Sequence, residues 1–172
     1  MFMEFIKLLK LWKYAIVYID EVAFNTSNLP LHTWSEKGKD APKLIRKTND
    51  RYNAIAAQVG KYKMFHIKKD TTKSINYIVF LKNLMKELKK LIGKNQFEYR
   101  TVIVCDNASI HITDDVHKFL KQKGIKCFTI PPYAPELNNI EHTFGVLKKK
   151  LACRNLVNKD FLHVIKETVQ EM

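Results

Sequence analysis

Cysteine is scarce in this chain of 172 residues: Cys105, Cys127 and Cys153 are the only three, and no two form a CxxC pair. That scarcity excludes a disulfide framework and a cysteine-built zinc site. Cys105 and Cys127 fall in apolar, strand-like runs and read as buried free thiols, as suits a reducing compartment. A long unbroken apolar run is also missing. The N-terminal stretch Met1 to Ile19 is interrupted by Glu4, Lys7, Lys10 and Lys13, and it has no small-residue cleavage site. It is therefore a poor membrane span and a poor secretion signal. Repeats, low-complexity tracts and interdomain linkers are absent as well. Together these absences predict one domain over residues 1–172, without a membrane and inside the cell: in the nucleus of a eukaryote, or in the cytoplasm or nucleoid of a bacterium.

Acidic residues are few, 17 against 30 Lys and Arg, which leaves a formal charge of +13. Such a surplus fits either solubility or the handling of a polyanion. Hydrophobic residues make up 46% and charged residues 27%, enough apolar material for a core and too much for disorder.

The apolar pattern predicts the elements. Phe5, Leu8, Leu9 and Trp12 recur at helical spacing and predict a lead-in helix over 4–13. Tyr14 to Ile19 is a continuous apolar run, as in a strand buried on both faces. Residues 25 to 50 read as loop, with one short strand near Thr33-Trp34. Tyr52–Val59 and Tyr62–Ile67 predict two strands joined by a tight turn at Gly60-Lys61. Ser74 is read as the cap of a helix striped by Ile78, Leu81, Leu84, Met85, Leu88 and Ile92 and ended by Gly93. Thr101–Cys105 is a buried strand. A short helix around Val116, Phe119 and Leu120 stops at Gly124, and Ile125–Ile130 is a fifth strand. A helix from about Asn139 carries Ile140, Phe144, Leu147 and Leu151, and a last one runs from about Lys159. Strands alternating with helices after an early hairpin predict an α/β fold: a mixed five-stranded sheet with helices on both faces. In such sheets functional groups gather at the carboxyl ends of the parallel strands.

Three acids stand out against that frame. Asp20 closes the Tyr14–Ile19 run and Asp106 closes Thr101–Cys105. Glu141 ends the run Pro-Pro-Tyr-Ala-Pro-Glu-Leu-Asn-Asn-Ile-Glu, with 34 residues between it and Asp106. Singly, each has an ordinary structural role open to it: a turn cap for Asp20, an Asx turn for Asp106-Asn107, and the N3 position of a capping box for Glu141 if Asn138 is the N-cap. Together, three carboxylates at one sheet edge repel unless cations lie between them. Three carboxylates are also what a pair of hard divalent ions requires. By strand alternation Glu21 should point away from the same site, which leaves it a supporting role at most.

Tyr-Ile-Asp-Glu at 18–21, Cys-Asp-Asn-Ala-Ser-Ile-His at 105–111 and the proline-rich block ending at Glu141 resemble the three catalytic blocks of mariner-superfamily transposases, which include relatives among bacterial insertion sequences. Trp34-Ser35-Glu36-Lys37-Gly38 is similar to a Trp-x-x-x-Gly element that follows the first block. Two departures are visible: Asn139 stands where Pro is usual, and Phe144 where the aromatic is often Trp.

The resemblance implies a ribonuclease-H-like fold and cutting and joining of DNA that depends on two Mg²⁺ or Mn²⁺ ions, with Asp20, Asp106 and Glu141 as catalytic metal ligands. Asn107 and His111 match the second block, where they would orient Asp106, touch a phosphate or simply hold the loop. Lys148, Lys149 and Lys150 form either a solvated face or a phosphate-contacting edge. Members carry an N-terminal helix-turn-helix region, and none precedes the first strand here. DNA is thus the expected partner, with either a second copy of the chain or a separate end-recognition subunit as a further one. The alternative is a domesticated, non-catalytic DNA-binding or assembly subunit.

Overall fold

The computed structural model describes residues 1–26, 36–39, 50–69, 74–154 and 160–172. The elements are α1 (Phe2–Leu11), β1 (Ala15–Asn25), β2 (Arg51–Val59), β3 (Tyr62–Lys68), α2 (Ser74–Ile92), α3 (Lys94–Tyr99), β4 (Thr101–Cys105), α4 (Asp114–Gln122), β5 (Lys126–Thr129), α5 (Ile140–Ala152) and α6 (Phe161–Gln170), with a 3₁₀ turn at Pro135–Leu137. Trp34 and the short strand expected beside it lie outside the described residues, as does Lys159.

The five strands form one sheet in the order β3-β2-β1-β4-β5. The hairpin half is antiparallel, with Val59 paired to Tyr62 across the two-residue turn Gly60-Lys61. Gly60 adopts φ +56°, a left-handed conformation that glycine enters without a Cβ clash. The other half is parallel, β1 with β4 and β4 with β5. Parallel neighbours need crossover connections, which the helical segments supply.

Both faces of the sheet are covered, which is why its central strands are apolar on both sides. Ile16, Tyr18, Val22 and Phe24 of β1 pack with α1, α5 and α6 through Ile6, Leu9, Phe144, Leu147 and Ile165. Val17 and Ile19 face the other way, towards α2, α3 and α4, among Phe80, Leu84, Phe97 and Phe119. Among the described residues no helix is long and apolar enough to cross a membrane.

Four expectations are corrected. The first strand does not stop at Asp20 but continues to Asn25, because β2 pairs with it antiparallel from Tyr18↔Gln58 to Asn25↔Arg51. Ser74 is a helical residue of α2, not a residue ahead of it. After Gly93 the chain re-enters a helix, α3, which buries Phe97. Cys127 is only half-buried, although its Sγ lies 3.5 Å from that of the buried Cys105.

Candidate active site

The register of the sheet brings the two aspartates together. Parallel pairing of β1 with β4 runs from Ala15↔Thr101 to Ile19↔Cys105. The residues that follow this last pair are Asp20, still within β1, and Asp106, just past the end of β4. Adjacent strands lie about 4.8 Å apart, so these carboxylates are side-by-side neighbours on one face. Asp20 stands midway along β1, but at the limit of its parallel pairing; beyond it only β2 continues, with Asp20 opposite Ala56.

Glu141 arrives from the face covered by α5. Ile140, Phe144, Leu147 and Leu151 press that helix onto the sheet, and the buried Thr143 hydroxyl donates to Gln58 Oε1 of β2 at 2.6 Å. The expected capping box is not formed. Asn139, not Asn138, is the N-cap residue, it makes no side-chain cap bond, and Glu141 is the second helical residue. The Asn138 side chain is used elsewhere: its Nδ2 donates to Asp20 Oδ2 at 2.8 Å, linking the loop before α5 to β1. Tyr133, on the same loop, is fully exposed with φ +59°.

Asp20, Asp106, Asn107, Tyr133, Asn138 and Glu141 line one pocket of about 360 Å³. Burial raises the Asp20 carboxyl to about 6, and the negative charges of Asp106 and Glu141 push in the same direction, against the Glu21 N–H that donates to Oδ1 at 2.7 Å. Asp106 is shifted the other way. His111 and the Ala108 N–H hold its carboxyl below the usual range despite partial burial.

His111 is fully buried and stands outside the pocket lining, which excludes contact with a phosphate there. Its Nδ1 lies 2.7 Å from Asp106 Oδ1, and its Nε2 lies 3.4 Å from Glu21 Oε1. The N–H directions miss hydrogen-bond alignment, so these are best read as close ion pairs. Burial alone would lower the imidazole, but the two carboxylates outweigh it and push it up to about 10. Glu21 does leave the pocket face, as alternation predicts, yet it reaches the site through this ring. The sequence reading missed that link, and it missed the role of Asn138; the only signals were the acid beside Asp20 and the doubled Asn in the third block.

The lysine run divides. Lys148 follows Glu141 by seven residues, so it shares that helix face about 10 Å further along. Lys150 instead donates to the Glu171 backbone carbonyl at 3.1 Å. The donor set of the pocket is all oxygen, which suits Mg²⁺ or Mn²⁺. Among the described residues Glu141 has no hydrogen-bond or ion-pair partner for its side chain, and Asp106 Oδ2 accepts no hydrogen bond, so both are open to a cation. Among the described residues, however, no three Asp, Glu, His or Cys side chains, Asp20, Asp106 and Glu141 included, stand close enough together to hold a metal ion as they are arranged here.

Residues 15–163 match the sequence model of a family described as DDE superfamily endonuclease. No curated protein matches the chain. Among solved structures it is similar to the Mos1 transposase catalytic domain with raltegravir and Mn, at 18% identity and TM-score 0.70, covering 96% of this chain and 75% of that one. It is similar to the Mos1 strand transfer complex, at 19% identity and TM-score 0.67, covering 96% of this chain and 50% of that one. A third likeness is to the catalytic core domain of HTLV-2 integrase with magnesium, at 17% identity and TM-score 0.54, covering 91% of this chain and 82% of that one. The chain thus spans about half the length of the Mos1 protein in its strand transfer complex. These likenesses establish the ribonuclease-H-like fold.

Proposed function

The chain belongs to the DDE superfamily of endonucleases, and from that membership we propose that it is a transposase catalytic domain that cuts and joins DNA, with Asp20, Asp106 and Glu141 as its metal ligands. The observation that supports this reading is that the three acids, brought by β1, the end of β4 and α5, line one pocket. Mg²⁺ or Mn²⁺ bound there would supply activation of a water or a 3′-hydroxyl and stabilisation of the leaving oxygen. The chain's own residues do the rest. The sheet fixes the two aspartates side by side, Asn138 ties the Pro-rich loop to Asp20, and α5 brings Glu141 across from a separate element. In this reading Lys148, seven residues after Glu141 on α5, meets the phosphates of a strand entering the pocket. DNA is the proposed substrate, which accords with the surplus of basic charge.

The test is nicking of supercoiled plasmid in Mn²⁺ by the purified chain and by Asp20→Asn, Asp106→Asn and Glu141→Gln. Each substitution should reduce nicking by more than about a hundredfold, since losing even an outer partner of a metal ligand costs ten- to a hundredfold. Undiminished nicking by Asp106→Asn would remove the triad assignment. A chain that binds DNA but neither nicks it nor takes up Mn²⁺ would be a non-catalytic binding module instead.

A further inference from the structure

Glu21 touches Asp20 directly and is linked to Asp106 through His111. Its backbone N–H donates to Asp20 Oδ1 at 2.7 Å. Its side chain points to the opposite face of the sheet, where Oε1 lies 3.4 Å from His111 Nε2, and the other ring nitrogen lies 2.7 Å from Asp106 Oδ1. The His111 side chain is completely shielded from solvent, and the Tyr77 ring covers it with centroids 4.6 Å apart.

Each ring nitrogen of His111 faces a carboxylate oxygen, so the buried ring is held from both ends. Removing the Glu21 carboxylate would leave one buried nitrogen unmatched and the ring free to turn. Asp106 would feel the change directly, because His111 and the Ala108 N–H (3.0 Å) both bind its Oδ1. Both contacts fall on one oxygen, and Oδ2 accepts no hydrogen bond among the described residues.

We propose that Glu21 is a positioning residue: acting through His111, it locks Oδ1 of Asp106 and so presents Oδ2 to a divalent cation. The proposal rests on the reading of Asp106 as a metal ligand. It assigns to the acid after Asp20 a role that strand alternation alone denies it. The arrangement is that of a ligand oriented by an outer partner, of the kind whose loss typically costs ten- to a hundredfold in metal affinity.

The test is calorimetric titration of the full chain with Mn²⁺ alone, alongside thermal unfolding, for the wild type, Asp106→Asn, Glu21→Gln and Glu21→Leu. Asp106→Asn should abolish uptake. Glu21→Leu, which removes the acceptor, should weaken it by about ten- to a hundredfold. Glu21→Gln keeps an oxygen at the same reach and should lie between Leu and the wild type, with an unfolding temperature close to wild type. A purely structural role would move the unfolding temperature and leave the affinity of the folded protein unchanged. If both Glu21 variants bind Mn²⁺ within about twofold of wild type while Asp106→Asn does not bind, this proposal falls and the ligand assignment stands. If Asp106→Asn binds as the wild type does, or the wild type takes up no Mn²⁺, the ligand assignment falls and takes this proposal with it. Should Glu21→Leu fail to fold, Glu21→Gln decides alone: clear weakening supports the role, and wild-type affinity overturns it.

Discussion

Asp20 sits where its charge is least welcome. Its carboxyl is raised to about 6 from an ordinary 3.8, first by burial and then by its acidic neighbours. The sign follows from linkage: the contribution of this group to stability is full below the unfolded value and is lost as pH rises through 6. A cation needs the ionised form, so protons compete with it below that pH. Saturating Mn²⁺ should therefore raise the unfolding temperature strongly at about pH 7.5 and much less at about pH 5.5, the larger effect being worth about 2.7 kcal/mol at a hundredfold excess over Kd. Thermal unfolding in the two buffers checks this; equal gains at both pH values would refute it. At this scale the sequence was legible for the three acids, because each stands beside an apolar run or a proline-rich block that gives it away. Asn138 and Glu21 were not legible. Local rules assign Asn138 to a helix cap and Glu21 to the far face, and only the tertiary placement of the loop and of His111 overrides them.

Among the elements, two helices end in the same way with different residues. In α4 the Gly124 N–H donates to the Lys121 carbonyl and the Ile125 N–H to that of Leu120, with Gly124 at φ +67°. In α1 the Lys13 N–H donates to the Lys10 carbonyl and the Tyr14 N–H to that of Leu9, with Lys13 at φ +58°. Both are Schellman motifs, and lysine pays at Lys13 a Cβ penalty that glycine avoids. Lys13→Gly should stabilise the protein by about 0.5–1 kcal/mol and Gly124→Ala should destabilise it by about 1 kcal/mol, as urea unfolding would measure. Opposite signs are the outcome required; a loss in both would show that the α1 turn is held by something else. The Gly124 stop was readable for this reason, and the end of α1 was not. The same lack of a marker hid the second half of β1, where Val22 and Phe24 alternate with Glu21, Ala23 and Asn25 on a strand that only β2 completes. It hid α3 too, since six residues carry too little periodicity to be read.

For the molecule as a whole, the charge of +13 predicts that binding to DNA is dominated by counterion release. Affinity should fall steeply with salt, and Lys148→Ala should weaken binding on any sequence while flattening the salt dependence by about one unit of log–log slope. Lys150→Ala, whose ammonium is held by the end of the chain, should change that slope little. Fluorescence anisotropy over a salt series separates the two, and identical slopes for both variants would dismiss a phosphate contact by Lys148. The two-faced core has one more consequence. A strand greasy on both sides carries little information about which side is which, so a one-residue slip of β1 would exchange one oily surface for another. It would also swap Asp20 for Glu21 at the pocket and strip His111 of its partner. Along this stretch the paired acids are what tells the right threading from its nearest impostor, and a chain neutralised at both positions would lack that difference.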